Sequence, residues 1–153
     1  MWIVFFHVAA VFVGFALTAG IGIFLSGIAR SGDPRAIRAA GRAGVPLATV
    51  GGVLVTLGAL LGFGAAEMLG FPLNASWLVL TYVFVGLIII DGFFFRRRWV
   101  VALTNAAEAS PDDEASEELQ RIANDRLAAV TGPLSGLLWL ATLIMMTVKP
   151  HLW

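Results

Sequence analysis

An all-α membrane protein, with four transmembrane helices in a bundle, is what this sequence predicts, and three observations predict it. Hydrophobic residues make up 59% of the 153 positions and charged ones 13%, where an average soluble domain has about a quarter charged; mean hydropathy is +0.88. Four apolar stretches stand out, roughly Ile3 to Ala29, Leu47 to Ala66, Trp77 to Phe95 and Leu127 to Val148. Each is near or above the ~20 residues that cross ~30 Å of hydrocarbon. Finally, nine of the ten basic side chains fall in two of the three interhelical segments: Arg30, Arg35, Arg38 and Arg42 in one, and Arg96, Arg97, Arg98, Arg121 and Arg126 in the other. Short loops rich in Lys and Arg stay cytoplasmic, so both termini and the Glu67 to Ser76 connection are expected outside, with helical extensions on the cytoplasmic side. Residues 1–153 then form a single transmembrane domain.

The first span carries no charge from Met1 to Phe6 and is longer than a signal-peptide core, which predicts an uncleaved helix. Trp2, Trp77 and Trp153 fall at expected outer boundaries and Trp99 at an inner one, where amphipathic rings settle. Trp139 falls mid-span, against a neighbouring helix or lipid. After the first span, Ser31-Gly32-Asp33-Pro34 breaks the helix and starts another, with Asp33 as cap and Pro34 in the first turn. Arg35, Arg38 and Arg42 then share one face, suited to topogenesis or to anionic lipid. In the second arginine segment, Ser110-Pro111-Asp112-Asp113 reads as a capping-box-like helix start, Glu117 stands four residues before Arg121, and the helix is expected to run on as one rod into the fourth span. Its acidic residues, Asp112 to Glu118, are expected to face the basic helix of the first loop.

Small residues recur every four positions: Ala10, Gly14, Thr18, Gly22 and Ser26 in the first span, Gly44, Ala48, Gly52 and Thr56 in the second, then Gly58 with Gly62 and Gly132 with Gly136. Such stripes let helices approach closely. Pro46 and Pro133 are candidate bends. Asn74-Ala75-Ser76 matches a glycosylation sequon but stands almost on the membrane, where it is expected to cap the third span.

Ionisable groups inside hydrocarbon are expensive and so are the default functional candidates. His7 lies about two turns into the first span, with Glu67 and His151 at the same membrane face. A His7–Glu67 hydrogen bond fits that placement, and His7, with His151, is the candidate haem or metal ligand or proton-handling site. Asp91, about one turn before Arg96, reads as a structural ion pair with it. With no cysteine, disulfides, thiolate metal sites and thiol catalysis are excluded, and the chain carries no nucleic-acid, nucleotide or hydrolase signature.

The opening Phe5-Phe6-His7-Val8-Ala9-Ala10-Val11-Phe12-Val13-Gly14 and the closing Leu143-Ile144-Met145-Met146-Thr147-Val148-Lys149-Pro150 resemble an uncharacterised family of bacterial four-helix integral membrane proteins. The first-span histidine is similar to one in copper-resistance D-type proteins and in HemJ-type protoporphyrinogen oxidases, and for the latter the resemblance implies haem at His7. The resemblance implies a bacterial plasma membrane protein. The third span holds no lysine and no second histidine lies deep in a helix, so the expectation is not an oxidase but a non-catalytic accessory or assembly component, associating with lipids and with itself or other membrane subunits. The alternative is a haem-binding redox protein using His7.

Overall fold

A computed structural model describes residues 1–150. Among them the chain is all-helical, in the order α1 (Trp2–Ala29), α2 (Pro34–Met68), α3 (Ser76–Ile90), a π-helical turn (Asp91–Arg96), α4 (Arg97–Ala109), α5 (Glu117–Ala123) and α6 (Arg126–Val148). Four helical segments, Trp2–Ala29, Pro34–Met68, Ser76–Ala109 and Glu117–Val148, are long and apolar enough to cross a membrane. The chain is thus suited to be a multi-pass membrane protein. At 1.5 Å per residue α2 is about 52 Å long, longer than the ~30 Å of a hydrocarbon layer, with Arg35, Arg38 and Arg42 all in its first three turns.

Local chemistry explains most boundaries. Asp33 caps α2 by accepting from the Arg35 N–H at 2.9 Å, and Pro34 occupies the first turn, where its missing N–H has no helical partner to lose. Gly32 and Gly70, both at positive φ, reverse the chain after α1 and α2. The cap expected at Asn74 is absent: Ala75 precedes α3 with no side-chain cap, and Ser76 Oγ donates instead to the Pro150 carbonyl at 3.1 Å.

Helices α1 and α2 form one tight pair. Gly14 and Gly51 face each other so closely that a Cβ on either would stand 2.8–2.9 Å from side-chain atoms, Val55 for Gly14 and Leu17 and Thr18 for Gly51. Gly44 meets Leu25 and Ile21, and Gly58 meets Val11. Three of the small buried positions on α2, Gly44, Gly51 and Gly58, therefore carry this contact. Their spacing is seven, the repeat of a left-handed seam, not four; of the expected Gly44-Ala48-Gly52-Thr56 stripe only Gly44 is in it. Gly52 meets nothing nearer than the Phe93 ring at 3.9 Å, and Gly132 and Gly136 meet nothing.

Buried cores sit at the two ends of the molecule. At the arginine end Ala29, Ile37, Leu103, Ala107 and Leu119 close a cluster contributed by α1, α2, α4 and α5, and Trp99 Nε1 ties α4 to the Ile122 carbonyl at 3.0 Å. At the other end Ala66, Trp77 and Leu78 pack with Met145 and Met146, while Lys149 Nζ sits 4.3 Å over the Phe71 ring.

The second arginine segment differs from expectation. Ser110 does not start a helix; it ends α4, with its Oγ 2.8 Å from the Ala106 carbonyl. Helix α5 begins seven residues later, capped by Ser116, whose Oγ accepts from the Leu119 N–H at 3.2 Å. Asp112, in the stretch between, is held by α2: Arg38 donates to it at 2.9 Å and Arg35 lies 3.4 Å away. Nor does α5 continue as one rod, because Asp125 stops it and caps α6 through the Leu127 N–H at 2.8 Å. Arg121 pairs with Glu118, three residues before it, rather than with Glu117.

Replacing Gly51 with Leu is expected to lower stability by about 1–3 kcal/mol through overpacking of the seam, read as a fall in the unfolding midpoint in detergent. Gly20→Ala, where nothing lies within 4 Å, should leave that midpoint unchanged or slightly raised.

Candidate functional site

The third spanning segment is interrupted where its charges begin. Up to Ile90 it is α-helical; the Arg97 N–H then bonds the Gly92 carbonyl, five residues back, in a single wide turn. In an α-helix residues five apart lie about 140° apart around the axis. A π turn brings position i+5 over position i, and such turns mark functional sites in many helices. Here it sets Asp91 and Arg96 on one face, with Arg96 Nη2 3.6 Å from Asp91 Oδ2. Neither is open to solvent: the side chains are 14% and 21% exposed.

Two other helices complete the centre. Ser135 of α6 donates its hydroxyl to Asp91 Oδ2 at 2.7 Å. From α1, Gly22 offers bare backbone to the Arg96 guanidinium, which occupies the space that a Cβ on Gly22 would need. One carboxylate, one guanidinium, one hydroxyl and one glycine thus join α1, the third segment and α6. Nearby, Trp139 of α6 packs on Phe15 of α1 with ring centroids 4.9 Å apart.

Beside this centre lies a cavity of about 740 Å³, opening between α1, α2, the π turn and α6. Its walls include Phe15, Val45, Val55, Ile88, Phe93 and Trp139, and Arg30 and Arg97 line it with Arg96. The hydroxyls of Thr18, Ser26 and Thr49, which also line it, each donate to a carbonyl four residues back in their own helix.

The other expected site residues lie elsewhere. His7 is at the far end of α1, its Nδ1 2.7 Å from the Gly58 carbonyl and its ring laid against Gly62. The expected bond to Glu67 is not made. Glu67 stands five residues beyond Gly62, about 7.5 Å further along α2, and is exposed. His151 lies outside the described residues, among which no group of three His, Cys, Asp or Glu side chains is placed to hold a metal. Tyr82, stacked on Phe63 at 4.3 Å, keeps a buried hydroxyl with no hydrogen-bond partner among the described residues.

Arg35, Arg38 and Arg42 are turned toward α4 and the segment after it. Arg38 donates to the Ala107 and Ser110 carbonyls as well as to Asp112, and Arg42 donates to Glu108 at 3.0 Å. The hydrogen bond from Arg38, with the nearby charge of Arg35, holds the Asp112 carboxyl below its ordinary range. Ser135, Gly22 and Glu108 were not singled out as partners from sequence. Ser135 had a signal, since with Thr131 it places two hydroxyls four residues apart on one face of an otherwise apolar span.

Compared with family models, with curated proteins and with solved structures, the chain matches none.

Ser135→Ala, which strips Asp91 of its only hydroxyl donor among the described residues, is expected to lower stability by about 1–2 kcal/mol in detergent. Thr147→Val, whose hydroxyl bonds only carbonyls of its own helix, should change it by less than about 0.5 kcal/mol.

Proposed function

We propose that this chain is a small, non-catalytic integral membrane protein of the bacterial plasma membrane, acting as an accessory or assembly component, with its arginine end in the cytoplasm and both termini outside. The observation that carries this reading is how the ionisable groups of the spans are used. Asp91 is bonded to Ser135 and paired with Arg96, and His7 is bonded to the Gly58 carbonyl. Each holds helices together, and polar groups so engaged are parts of a scaffold. The arginine distribution supports the orientation. The exposed apolar face of α6 at Leu137 and Leu140 supports association with a second membrane helix.

One observation favours the haem reading as a second possibility. When Nδ1–H of His7 donates to the Gly58 carbonyl, the lone pair is left on Nε2, the tautomer an imidazole needs to bind a metal. His7 is the residue that would hold such a group, through Nε2, with the Gly58 carbonyl fixing the ring.

Photocrosslinking from Leu137, on the exposed face of α6, together with an absorption spectrum of the purified protein, tests both. The accessory reading predicts a discrete crosslinked species in native membranes and no stoichiometric Soret band. A Soret band lost in His7→Ala would overturn it in favour of haem binding, and the absence of any crosslinked species would remove the assembly role.

A further inference from the structure

Four arginines, Arg30, Arg97, Arg98 and Arg126, have no carboxylate within 4 Å among the described residues, and two of them line one cavity. Arg35, Arg38, Arg42, Arg96 and Arg121 each lie within 4 Å of a carboxylate. The two that line the cavity, beside the π turn, are Arg30 and Arg97. We propose that this cavity is a binding site for an anionic phospholipid, one acyl chain lying between α1, α2 and α6 and the headgroup phosphate held by Arg30 and Arg97. The inference goes beyond the functional reading above and does not depend on it.

Size, wall chemistry and charge all fit. At about 740 Å³ the cavity falls within the ~300–1,000 Å³ of small-molecule sites. Its walls are apolar in effect as well as in composition, because Thr18, Ser26 and Thr49 spend their hydroxyl protons on their own helices. Glycine supplies the room: Gly27, Gly92, Gly132 and Gly136 all line the space, and a Cβ on any of them would meet nothing within 4 Å. The charged lining residues are Arg30, Arg96 and Arg97 against Asp91 and Asp125, a balance of plus one. Both carboxylates are already engaged, Asp91 by Ser135 and Arg96 and Asp125 as the cap of α6. With Asp91 paired to Arg96, the remaining net charge of plus one is carried by Arg30 and Arg97 against the capping Asp125, at the end of the spans where the leaflet headgroups lie. Basic pockets between spanning helices recognise anionic headgroups in this way. The arginines marked from sequence as lipid-facing, Arg35, Arg38 and Arg42, have protein partners instead.

The test uses the full chain in phosphatidylcholine nanodiscs doped with either spin-labelled phosphatidylglycerol or spin-labelled phosphatidylcholine. The proposal predicts an immobilised lipid component with about a tenfold preference for phosphatidylglycerol, on ~1 kcal/mol per arginine with some screening. That preference should vanish in Arg30→Gln/Arg97→Gln and persist in Arg35→Gln. Gly132→Leu, whose Cβ would meet nothing within 4 Å and whose longer side chain would take up cavity space, should remove the immobilised component while the unfolding midpoint is kept. Equal immobilisation of the two lipids, or a preference untouched by the double variant, would overturn the proposal. So would a dimer, detected by mass in the same nanodiscs and broken by Gly132→Leu, since a second copy would then be the occupant.

Discussion

A guanidinium held among apolar spans has to find its counter-charge and its room inside the protein, and much of the architecture follows from that demand on Arg96. A charge in hydrocarbon costs at least ~2.5–3.5 kcal/mol when nothing compensates it. The carboxylate that does so, Asp91, lies five residues back, a separation an α-helix points to different faces and a π turn brings together. Room comes from Gly22, and Ser135 satisfies the carboxylate from a third helix. The π turn, the glycine and the serine are three answers to one electrostatic problem.

That centre matters more because apolar packing is concentrated elsewhere. Buried clusters close the arginine end, around Leu103 and Ala107, and the opposite end, around Trp77 and Leu78. The α1–α2 seam runs continuously through Gly44, Gly51 and Gly58. Between that pair and α6, by contrast, the structure opens into the cavity, crossed by the Arg96 and Asp91 contacts and by Phe15 on Trp139. The same residues therefore join the two sides and shape one end of the space between them.

Which parts could be read from sequence depended on how local the determining physics was. The four long apolar segments and the Asp33–Pro34 start of α2 rest on composition and on neighbouring residues, and they were legible. So was the pairing of basic loop with acidic segment, through Arg38 and Asp112, whereas the helix start expected at Ser110 falls at Ser116, whose hydroxyl caps α5. The small-residue contact was legible on α1, where Ala10, Gly14 and Thr18 meet α2, and at Gly58 and Gly62, while the Gly44-Ala48-Gly52-Thr56 stripe of α2 was out of phase after Gly44. A four-residue search selected Gly52, whereas a seven-residue repeat through Gly51 carries the contact. The Asp91–Arg96 pair was legible from its spacing, but the π turn that closes it, and the Ser135 and Gly22 that complete it from distant parts of the chain, were not. His7 stands out in the sequence as an ionisable group in an apolar span, yet its partner is a backbone carbonyl, which no side-chain pattern encodes.

The account stands or falls on the coupling between Asp91 and Arg96, which a double-mutant cycle of Asp91→Asn and Arg96→Gln measures directly by reversible unfolding in detergent. Each single change strands the other member of the pair, so the double variant is expected to be more stable than the sum of the two losses allows, by about 1–3 kcal/mol. Losses that add to within about 0.5 kcal/mol would mean that the pair does not act as a unit, and that the π turn exists for some other reason.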